Sequence, residues 1–171
     1  MPPWARPRKL ARTDPVRDFD CGDALLNRWL RTHALTNQQA GMATTFVCLD
    51  DPGSGRVLAF YALAAGGIGH RAAATRIRAG VPHHDIPVIV LARLAVTSNM
   101  QGAGLGRAML RDALIRVEQA ADIVGIRCLL VHAKDEAARD FYLRCAEFEQ
   151  SPTDPMNLQL LMKDLRANLR R

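Results

Sequence analysis

A glycine-rich loop is the part of this sequence best suited to bind a ligand. The run Gln101-Gly-Ala-Gly-Leu-Gly106 follows a predicted strand and opens the longest predicted helix. Glycine lets the backbone approach a ligand closely, and the first N–H groups of a helix lack acceptors within the helix, so they can bind phosphate oxygens. The spacing predicts a pyrophosphate site formed by Gln101, Gly102, Ala103, Gly104, Leu105 and Gly106. The alternative is a helix entrance that binds nothing; we favour the ligand because each glycine forgoes helix propensity.

Two familiar phosphate loops do not match this run. The dinucleotide-binding fingerprint requires a third glycine where Arg107 stands and an acidic residue at the end of the next strand, where Val131-His-Ala133 has none. The Walker loop requires Gly-Lys-Ser/Thr, which the run lacks. Both interpretations therefore fail.

Arginine supplies most of the positive charge of the chain. Lys plus Arg number 23 against 17 acidic residues, which gives a net charge of +6 and a pI near 9.7, yet only Lys9, Lys134 and Lys163 are lysines. Guanidinium pairs bidentately with phosphate and stacks on bases, so this balance favours a polyanionic partner or cofactor. Arg93 interrupts an apolar strand, where it either reaches an acidic partner or contacts the substrate, and we favour the second.

Composition excludes several other classes of protein. No apolar run approaches the ~20 residues of a membrane span, and residues 1–9 carry charge and proline instead of an apolar signal segment. The four cysteines form no CxxC pair, so we interpret them as reduced thiols of a cytoplasmic protein that fill the core. His83-His-Asp85 has no further spaced ligands, so no metal is assigned.

The elements that position the loop follow from hydrophobic periodicity. A weak strand at residues 7–13 precedes a helix that is capped within Phe19–Asp23 and continues to about Ala40. Thr44–Leu49 and Val57–Leu63 form a predicted hairpin. The later elements are a basic loop with a short helix (66–87), a central strand covered on both faces (86–96), a long helix (104–122), a buried strand (127–132), a helix capped by Asp135 and a closing strand (157–162). This order predicts a mixed α/β fold in a single domain, residues 1–171.

The loop and its flanks resemble the GNAT superfamily of N-acetyltransferases. Gln101-x-x-Gly-x-Gly106 after a strand ending Arg93-Leu-Ala-Val96 is similar to the acetyl-coenzyme A loop of that superfamily, and Asp135–Arg144 looks like its late helix with a tyrosine. More narrowly, Phe19-Asp-Cys-Gly-Asp23 and Leu26-Asn-Arg-Trp-Leu30 resemble the acetyltransferase toxins of bacterial toxin–antitoxin modules, which acetylate the amino acid on charged tRNA. Nearly the whole chain takes part in the resemblance. It departs at Ala146-Glu-Phe148, where relatives often have a glycine before the phenylalanine, and that departure concerns a local turn.

The resemblance implies a GNAT fold, in which a central mixed, mostly antiparallel sheet splays at its central strands and is flanked by helices. It implies acetyl-CoA as co-substrate, with the pyrophosphate on the loop at 101–107 and the thioester oriented by N–H groups near Leu94, Ala95 and Val96. It implies aminoacyl-tRNA as the acceptor and a small ribbon-helix-helix antitoxin as partner, with operator DNA contacted only through that antitoxin. Relatives commonly pair, so a homodimer is expected.

Tyr142 is the candidate catalytic residue. A phenol with a pKa of about 10 can protonate a departing thiolate, whose conjugate acid has a pKa near 8.5, if the two are within hydrogen-bond reach. Because Phe141 precedes it, Tyr142 is alternatively an aromatic on the core face of a helix, and the resemblance favours the catalytic role.

The expected acceptor is a weakly basic amine. Val88–Val96 contains no carboxylate, although several protein-acetylating relatives place a general base there. A lysine amine with a pKa of about 10.4 needs such a base, whereas an α-amino group near pKa 8, lowered further by an adjacent ester, is partly neutral already. A base acting through water or from another strand remains an alternative.

Several arginines form the candidate tRNA contacts, mostly through phosphates. They are Arg71, Arg76, Arg78, Arg93 and Arg139, together with Arg144, which like Arg139 is near Tyr142 in sequence. Any one of them taken alone also fits a solvated surface charge. Two other functions stay open: an acetyltransferase for a small amine or a protein N-terminus, and a non-enzymatic module that binds nucleic acid or a partner. Tyr142 and the intact loop speak against the module.

Overall fold

Strands and helices are interspersed along residues 2–53 and 55–171, which the computed structural model describes. The strands are β1 (Arg8–Lys9), β2 (Thr44–Leu49), β3 (Val57–Ile68), β4 (Ile86–Val96), β5 (Cys128–His132), β6 (Glu149–Gln150) and β7 (Asn157–Leu161). The helices are α1 (Ala24–Thr32), α2 (Ala34–Gln39), α3 (Thr75–Arg78), α4 (Leu105–Ala121), α5 (Glu136–Cys145) and α6 (Met162–Leu169), with a 3-10 turn at Ser98–Met100. Among the described residues, no helix is both long and apolar enough to cross a membrane.

The strands form one sheet in the order β1-β2-β3-β4-β5-β7-β6. β4 and β5 pair in parallel, whereas β1 with β2, β2 with β3, β5 with β7 and β6 with β7 pair antiparallel. The predicted mixed, mostly antiparallel sheet is thereby confirmed. The pairing of β4 with β5 ends at Leu91 and Val131, although β4 continues to Val96 and β5 still pairs with β7 at His132. The last residues of β4 therefore lie beyond its ladder with β5.

Packing divides the chain into two compact units. The first runs up to Ala64 and includes Ala92–Ala113, and the second consists of Ala65–Leu91 and Leu114–Arg171. A single domain over residues 1–171 remains our proposal.

Aromatic side chains form the centre of the first unit. Phe60 is fully buried on β3, with Phe19 edge-on at 5.4 Å and Trp29 of α1 stacked at 6.0 Å between ring centroids. Such pairs are worth about 0.5–1.5 kcal/mol beyond their buried area. This cluster attaches α1 and the segment before it to the sheet, and Ala95 of β4 packs in the same core.

A smaller aliphatic core holds the second unit together. Ile77 of α3 is fully buried against strand residues that include Val88 and Leu130. Gln159 of β7, also fully buried, accepts the Ala74 N–H (2.8 Å) and donates to the Ala72 carbonyl (2.8 Å). Since a buried backbone group without a partner is costly, this side chain fixes the chain that leads into α3.

Local sequence signals set several element boundaries correctly. Asp23 caps α1 by accepting the N–H groups of Leu25 and Leu26, and Asp135 caps α5 by accepting the N–H of Ala138. β2, β4, α4 and β5 lie within two residues of their predicted bounds.

Other boundaries were predicted wrongly. The first helix breaks at His33, whose φ of −121° and ψ of −28° separate α1 from α2, so it does not continue unbroken to Ala40. β1 has two residues because the chain turns after Leu10, where the Asp14 carboxylate accepts the N–H of Ala11 and pairs with Arg8. β3 extends beyond its predicted end, and β6 and α6 were not predicted.

Candidate functional site

The glycine loop joins the end of β4 to the start of α4 through a conformation that requires glycine. Gly102 and Gly104 have φ values of +81° and +88°, in the left-handed region that other residues rarely adopt. A Cβ built on either one meets no atom within 4 Å. The strain, and not crowding, therefore selects glycine here, and the backbone at both positions faces open space.

The loop presents main-chain N–H groups at the start of a long helix. The N–H of Ala108 donates to the Gly104 carbonyl (3.1 Å), so the N–H groups of Leu105, Gly106 and Arg107 precede the first turn of the α4 ladder. They have no acceptor within the helix, and the 17-residue α4 adds the positive end of its dipole. Leu105 is 1% exposed, which fixes the helix entrance in the core. The arrangement suits an anion that carries several oxygens, such as a diphosphate.

The side chain of Gln101 holds the loop in place. Its Nε2 donates to the carbonyls of Val96 and Cys21, both at 3.0 Å. A cofactor-binding role for Gln101 stays a prediction, and its side-chain amide nitrogen contacts the protein's own backbone. Its placement ties the loop to the end of β4 on one side and to the segment before α1 on the other.

The three predicted thioester-orienting residues lie at the end of β4, in the same unit as the loop. Ala95 is buried in the core, whereas Leu94 and Val96 are partly exposed. All three follow Leu91, the last residue of β4 in the ladder with β5. Only the 3-10 turn Ser98–Met100 lies between these residues and the glycine loop. The end of β4 therefore positions both the candidate thioester-orienting residues and the loop.

Tyr142 lies in the second unit, on α5, and is 6% exposed. Its ring packs edge-on against Phe148 at 5.8 Å and against Phe141 at 5.2 Å. Burial raises the pKa of the Tyr142 phenol well above its ordinary value, and nearby Cys145 adds to the effect. The phenol is therefore neutral around pH 7 and carries a proton that it can donate.

Arg93 stacks on an aromatic ring instead of pairing with an acid. Its guanidinium carbon lies 4.3 Å from the centre of the Trp29 ring, a cation–π contact. Partial burial lowers the pKa of Arg93, but it stays charged. In the described part of the chain no carboxylate pairs with it, so its N–H donors are directed elsewhere than to an internal ion pair.

The other candidate arginines differ in how strongly the protein itself engages them. Arg76 is held by Asp164 at 2.6 Å and Glu149 at 3.6 Å, and these carboxylates keep the pKa of Arg76 above its ordinary value. Arg139 lies 3.5 Å from Asp140. Arg71 is exposed, and Arg78 and Arg139 are partly exposed. Much of the charge of Arg76 is thus already compensated.

Several functional candidates were missed or passed over in the sequence. Arg127 was not singled out, yet it donates to three carbonyls around the end of α3, those of Arg76, Ile77 and Ala79. His70 stacks on His83 with ring centroids 4.0 Å apart, and partial burial beside a second imidazole lowers the pKa of His70. Neither contact has a local signal, because each joins residues well apart in the chain.

The cysteines lie as expected of core-filling thiols. Cys48 and Cys128 are buried, Cys21 and Cys145 are partly buried, and each of the four is a thiol outside any disulfide. Burial raises the pKa of Cys48 to about 11 and of Cys128 to about 12, so neither is a thiolate at neutral pH. Among the described residues, no group of three or more His, Cys, Asp or Glu side chains could hold a metal ion.

Comparisons with known proteins place this arrangement in context. Residues 41–145 match the model of the acetyltransferase (GNAT) domain. Over 167 residues the chain is 47% identical to a protein named tRNA-acetylating toxin from Mycobacterium tuberculosis (strain ATCC 25618 / H37Rv), with 98% of each chain covered. Two similar solved structures are AtaT complexed with acetyl-methionyl-tRNAfMet (25% identity, TM-score 0.87, covering 95% of this chain and 97% of that one) and AtaTR bound with AcCoA (26% identity, TM-score 0.83, covering 98% of each).

The glycine loop yields a prediction about conformational strain. Replacement of Gly104 by Ala should destabilise the fold by about 1–2 kcal/mol, because alanine at a φ of +88° brings its Cβ too close to the backbone. Gly125→Ala is the matched control, since its added Cβ also meets open space and its φ is outside the left-handed region. It should change stability by less than about 0.5 kcal/mol. Urea unfolding measures both, and equal effects would contradict the strain argument.

Proposed function

Because this chain belongs to the GNAT acetyltransferase family, we propose that it transfers an acetyl group from acetyl-CoA to the α-amino group of an aminoacyl-tRNA. The observation that carries the proposal is the 47% identity, along nearly the full chain, to a protein named for acetylating tRNA. The product has no free α-amino group, so it cannot accept a growing peptide at the next step of elongation. The protein is accordingly a toxin that blocks translation.

The loop between β4 and α4 binds acetyl-CoA by its pyrophosphate. The open backbone at Gly102 and Gly104 and the first N–H groups of α4, which have no acceptor within the helix, suit the negative charge and multiple oxygens of a diphosphate. The N–H groups near Leu94, Ala95 and Val96 orient the thioester and stabilise the negative charge that develops on its oxygen. A 26%-identical relative, AtaTR, has been solved with AcCoA bound.

Tyr142 is the proton donor for the leaving thiolate. The amine nitrogen attacks the acetyl carbon, the carbon–sulfur bond breaks, and the phenol transfers its proton to the sulfur of coenzyme A. The surroundings that keep the phenol neutral suit this role, since a group must hold its proton until the thiolate forms. The attacking amine loses one proton as the amide forms, and the phenolate of Tyr142 regains one proton, either from that amine directly or through solvent.

An aminoacyl ester is the acceptor that best fits the absence of a base from the central strand. Val88–Val96 carries no carboxylate, and the α-amino group of an aminoacyl-tRNA is partly neutral without help. The same absence disfavours lysine side chains, which are almost fully protonated at pH 7.

Arginine side chains contact the phosphates of the tRNA. We assign the larger share to Arg71, Arg78 and Arg93, because within residues 2–53 and 55–171 no ion pair is formed by any of the three. Arg76 and Arg139 contribute less, since carboxylates already lie beside them. A 25%-identical relative, AtaT, has been solved with acetyl-methionyl-tRNAfMet.

The remaining proposals concern the cellular setting. As a toxin, the protein is held inactive by a cognate antitoxin of the ribbon-helix-helix type, through which alone it reaches operator DNA. It forms a homodimer and acts in the cytoplasm, where charged tRNA is found.

Labelled acetyl-CoA and total charged tRNA test the function directly. Label should appear in an N-acetyl amino acid that mild base releases from the RNA, and the choice of amino acid identifies the acceptor. Removal of the amino acid or ribonuclease treatment beforehand should abolish the signal. Acetylation of free amines that survives ribonuclease would instead favour a small-amine or protein acetyltransferase, and no labelled product at all would support a module without enzymatic activity.

Tyr142→Phe should lower kcat by about 10²–10⁴-fold and leave the Kd for coenzyme A within about twofold, because the phenol acts on sulfur only during transfer. Tyr61→Phe is the control, since Tyr61 is the other tyrosine of the chain and its hydroxyl donates to Asp112 inside the first unit. Burial raises the phenol pKa, so ionisation of Tyr142 should not reduce the wild-type rate below pH ~10. An unchanged kcat in Tyr142→Phe would remove the proposed acid.

The phosphate contacts predict a strong salt dependence. The logarithm of tRNA affinity should fall linearly with the logarithm of salt concentration, and Arg71→Ala should reduce the slope by about 0.7–0.9 because it removes one phosphate contact. Arg12→Ala, at an exposed arginine outside the proposed set, should leave the slope unchanged. Filter binding at four salt concentrations measures all three proteins, and equal slopes would exclude Arg71 from the RNA interface.

A further inference from the structure

The segment Asp20–Asp23, which precedes α1, is joined by hydrogen bonds to the chain that leads into the glycine loop, 77 to 80 residues later. The Asp20 carbonyl accepts the N–H of Ser98 (2.9 Å), the hydroxyl of Ser98 (3.2 Å) and the hydroxyl of Thr97 (3.1 Å). The Cys21 carbonyl accepts the side-chain amide of Gln101 (3.0 Å). Two consecutive carbonyls therefore hold the loop at several points.

The orientation of those two carbonyls depends on Asn27 and on the Asp20 carboxylate. Asn27, 8% exposed on α1, accepts the N–H of Cys21 and donates to the carboxylate of Asp20, each at 2.9 Å. The same carboxylate oxygen accepts the N–H of Gly22 (2.9 Å). Gly22 has a φ of +87°, which glycine adopts readily among other conformations, so these bonds select this turn from those open to the backbone. The bonds from Gly22 and Asn27 lower the pKa of the Asp20 carboxyl, which is ionised at neutral pH.

We propose that Asp20 and Asn27 are positioning residues for acetyl-CoA, which shape the turn that fixes the phosphate-binding loop. Neither side chain touches the ligand; each acts through the carbonyls of residues 20 and 21. The inference rests on the proposed acetyl-CoA site and adds to it a set of residues outside the loop itself. It also gives a physical role to the motif Phe19–Asp23 together with Asn27, which phosphate chemistry alone does not explain.

The role follows from what a diphosphate site made of backbone groups requires. Side chains can swing toward a ligand, but main-chain N–H groups point correctly only if the whole loop keeps its conformation. The glycines that permit this conformation also leave the loop with little stiffness of its own. The contacts to Asp20 and Cys21 supply that stiffness before the ligand arrives, which lowers the entropy lost on binding.

Asn27→Leu and Asp20→Ala test the proposal. Each should raise the Kd for coenzyme A and the KM for acetyl-CoA by about 10–100-fold, because a displacement of the loop by about 1 Å misaligns the phosphate contacts. The kcat at saturating acetyl-CoA should stay within about twofold of wild type. Asp20→Asn should restore binding, since its amide oxygen still accepts the N–H groups of Gly22 and Asn27. Calorimetry with coenzyme A and steady-state kinetics supply the values.

Gln38→Leu is the matched control for lost stability. Gln38 also bridges two backbone groups of the first unit, donating to the Leu10 carbonyl (2.9 Å) and accepting the N–H of Thr45 (3.0 Å). Its replacement should lower the melting temperature while leaving the Kd for coenzyme A unchanged. If Asn27→Leu does not fold, the Kd values of Asp20→Ala and Asp20→Asn for coenzyme A still test the positioning role, because Asp20 is exposed.

The outcomes separate this inference from the proposed function. Wild-type Kd values in both Asn27→Leu and Asp20→Ala would overturn the positioning role and leave the acetyl-CoA site intact. A Gln38→Leu variant that loses coenzyme A affinity as strongly would also overturn it, since general destabilisation would then explain the effect. Failure of the unchanged protein to bind coenzyme A would overturn the proposed function, and the inference with it.

Discussion

The molecule depends on a short stretch of backbone at the start of α4, whose first N–H groups have no acceptor within the helix. A folded chain normally pairs such groups, and an isolated buried one costs about 1–3 kcal/mol. Here they directly follow a loop whose two left-handed glycines, Gly102 and Gly104, face open space. Where water reaches such N–H groups, the free-energy cost of leaving them without a protein acceptor is small. The same groups can then bind an anion. β4, the turn before α1 and Gln101 all serve to hold this stretch in one conformation.

The chemistry that such a site can support is set by the protonation states around it. A thioester is attacked by a neutral amine and releases a thiolate, so the reaction needs a proton donor more than it needs a base if the amine is weakly basic. We propose Tyr142 as that donor, because its burial beside Phe141 and Phe148 favours the uncharged phenol. The apolar central strand offers no carboxylate to activate a lysine. The kind of amine that can react thus depends both on the carboxylate that the central strand lacks and on the phenol of Tyr142.

Only some of the arginines of this chain are available to an external anion. A net charge of +6 attracts any polyanion, but the arginines that can contact one are those the protein has not already used. Arg76 joins α3 to carboxylates of later elements, and Arg127 ties carbonyls at the end of the same helix. Arg93 lies over Trp29, which orients its guanidinium without neutralising it. Composition alone therefore overstates the number of arginines that are available to contact a polyanion.

Much of this protein could be predicted from its residues in order. The glycine loop, the aspartate caps of α1 and α5 and the continuous apolar strand β4 are local patterns, and each imposes its own backbone geometry through φ preference, capping or burial. The break at His33 and the last helix, α6, were not predicted. Contacts between residues far apart in the chain could not be predicted either, namely the carboxylates that hold Arg76 and the hydrogen bonds between the loop and the carbonyls of Asp20 and Cys21. Tyr142 was recognised from its motif, yet the burial that keeps it protonated became visible only in the folded chain. Spacing along a chain determines local conformation, whereas the partner that satisfies a given polar group is decided by which distant segments the sheet brings together.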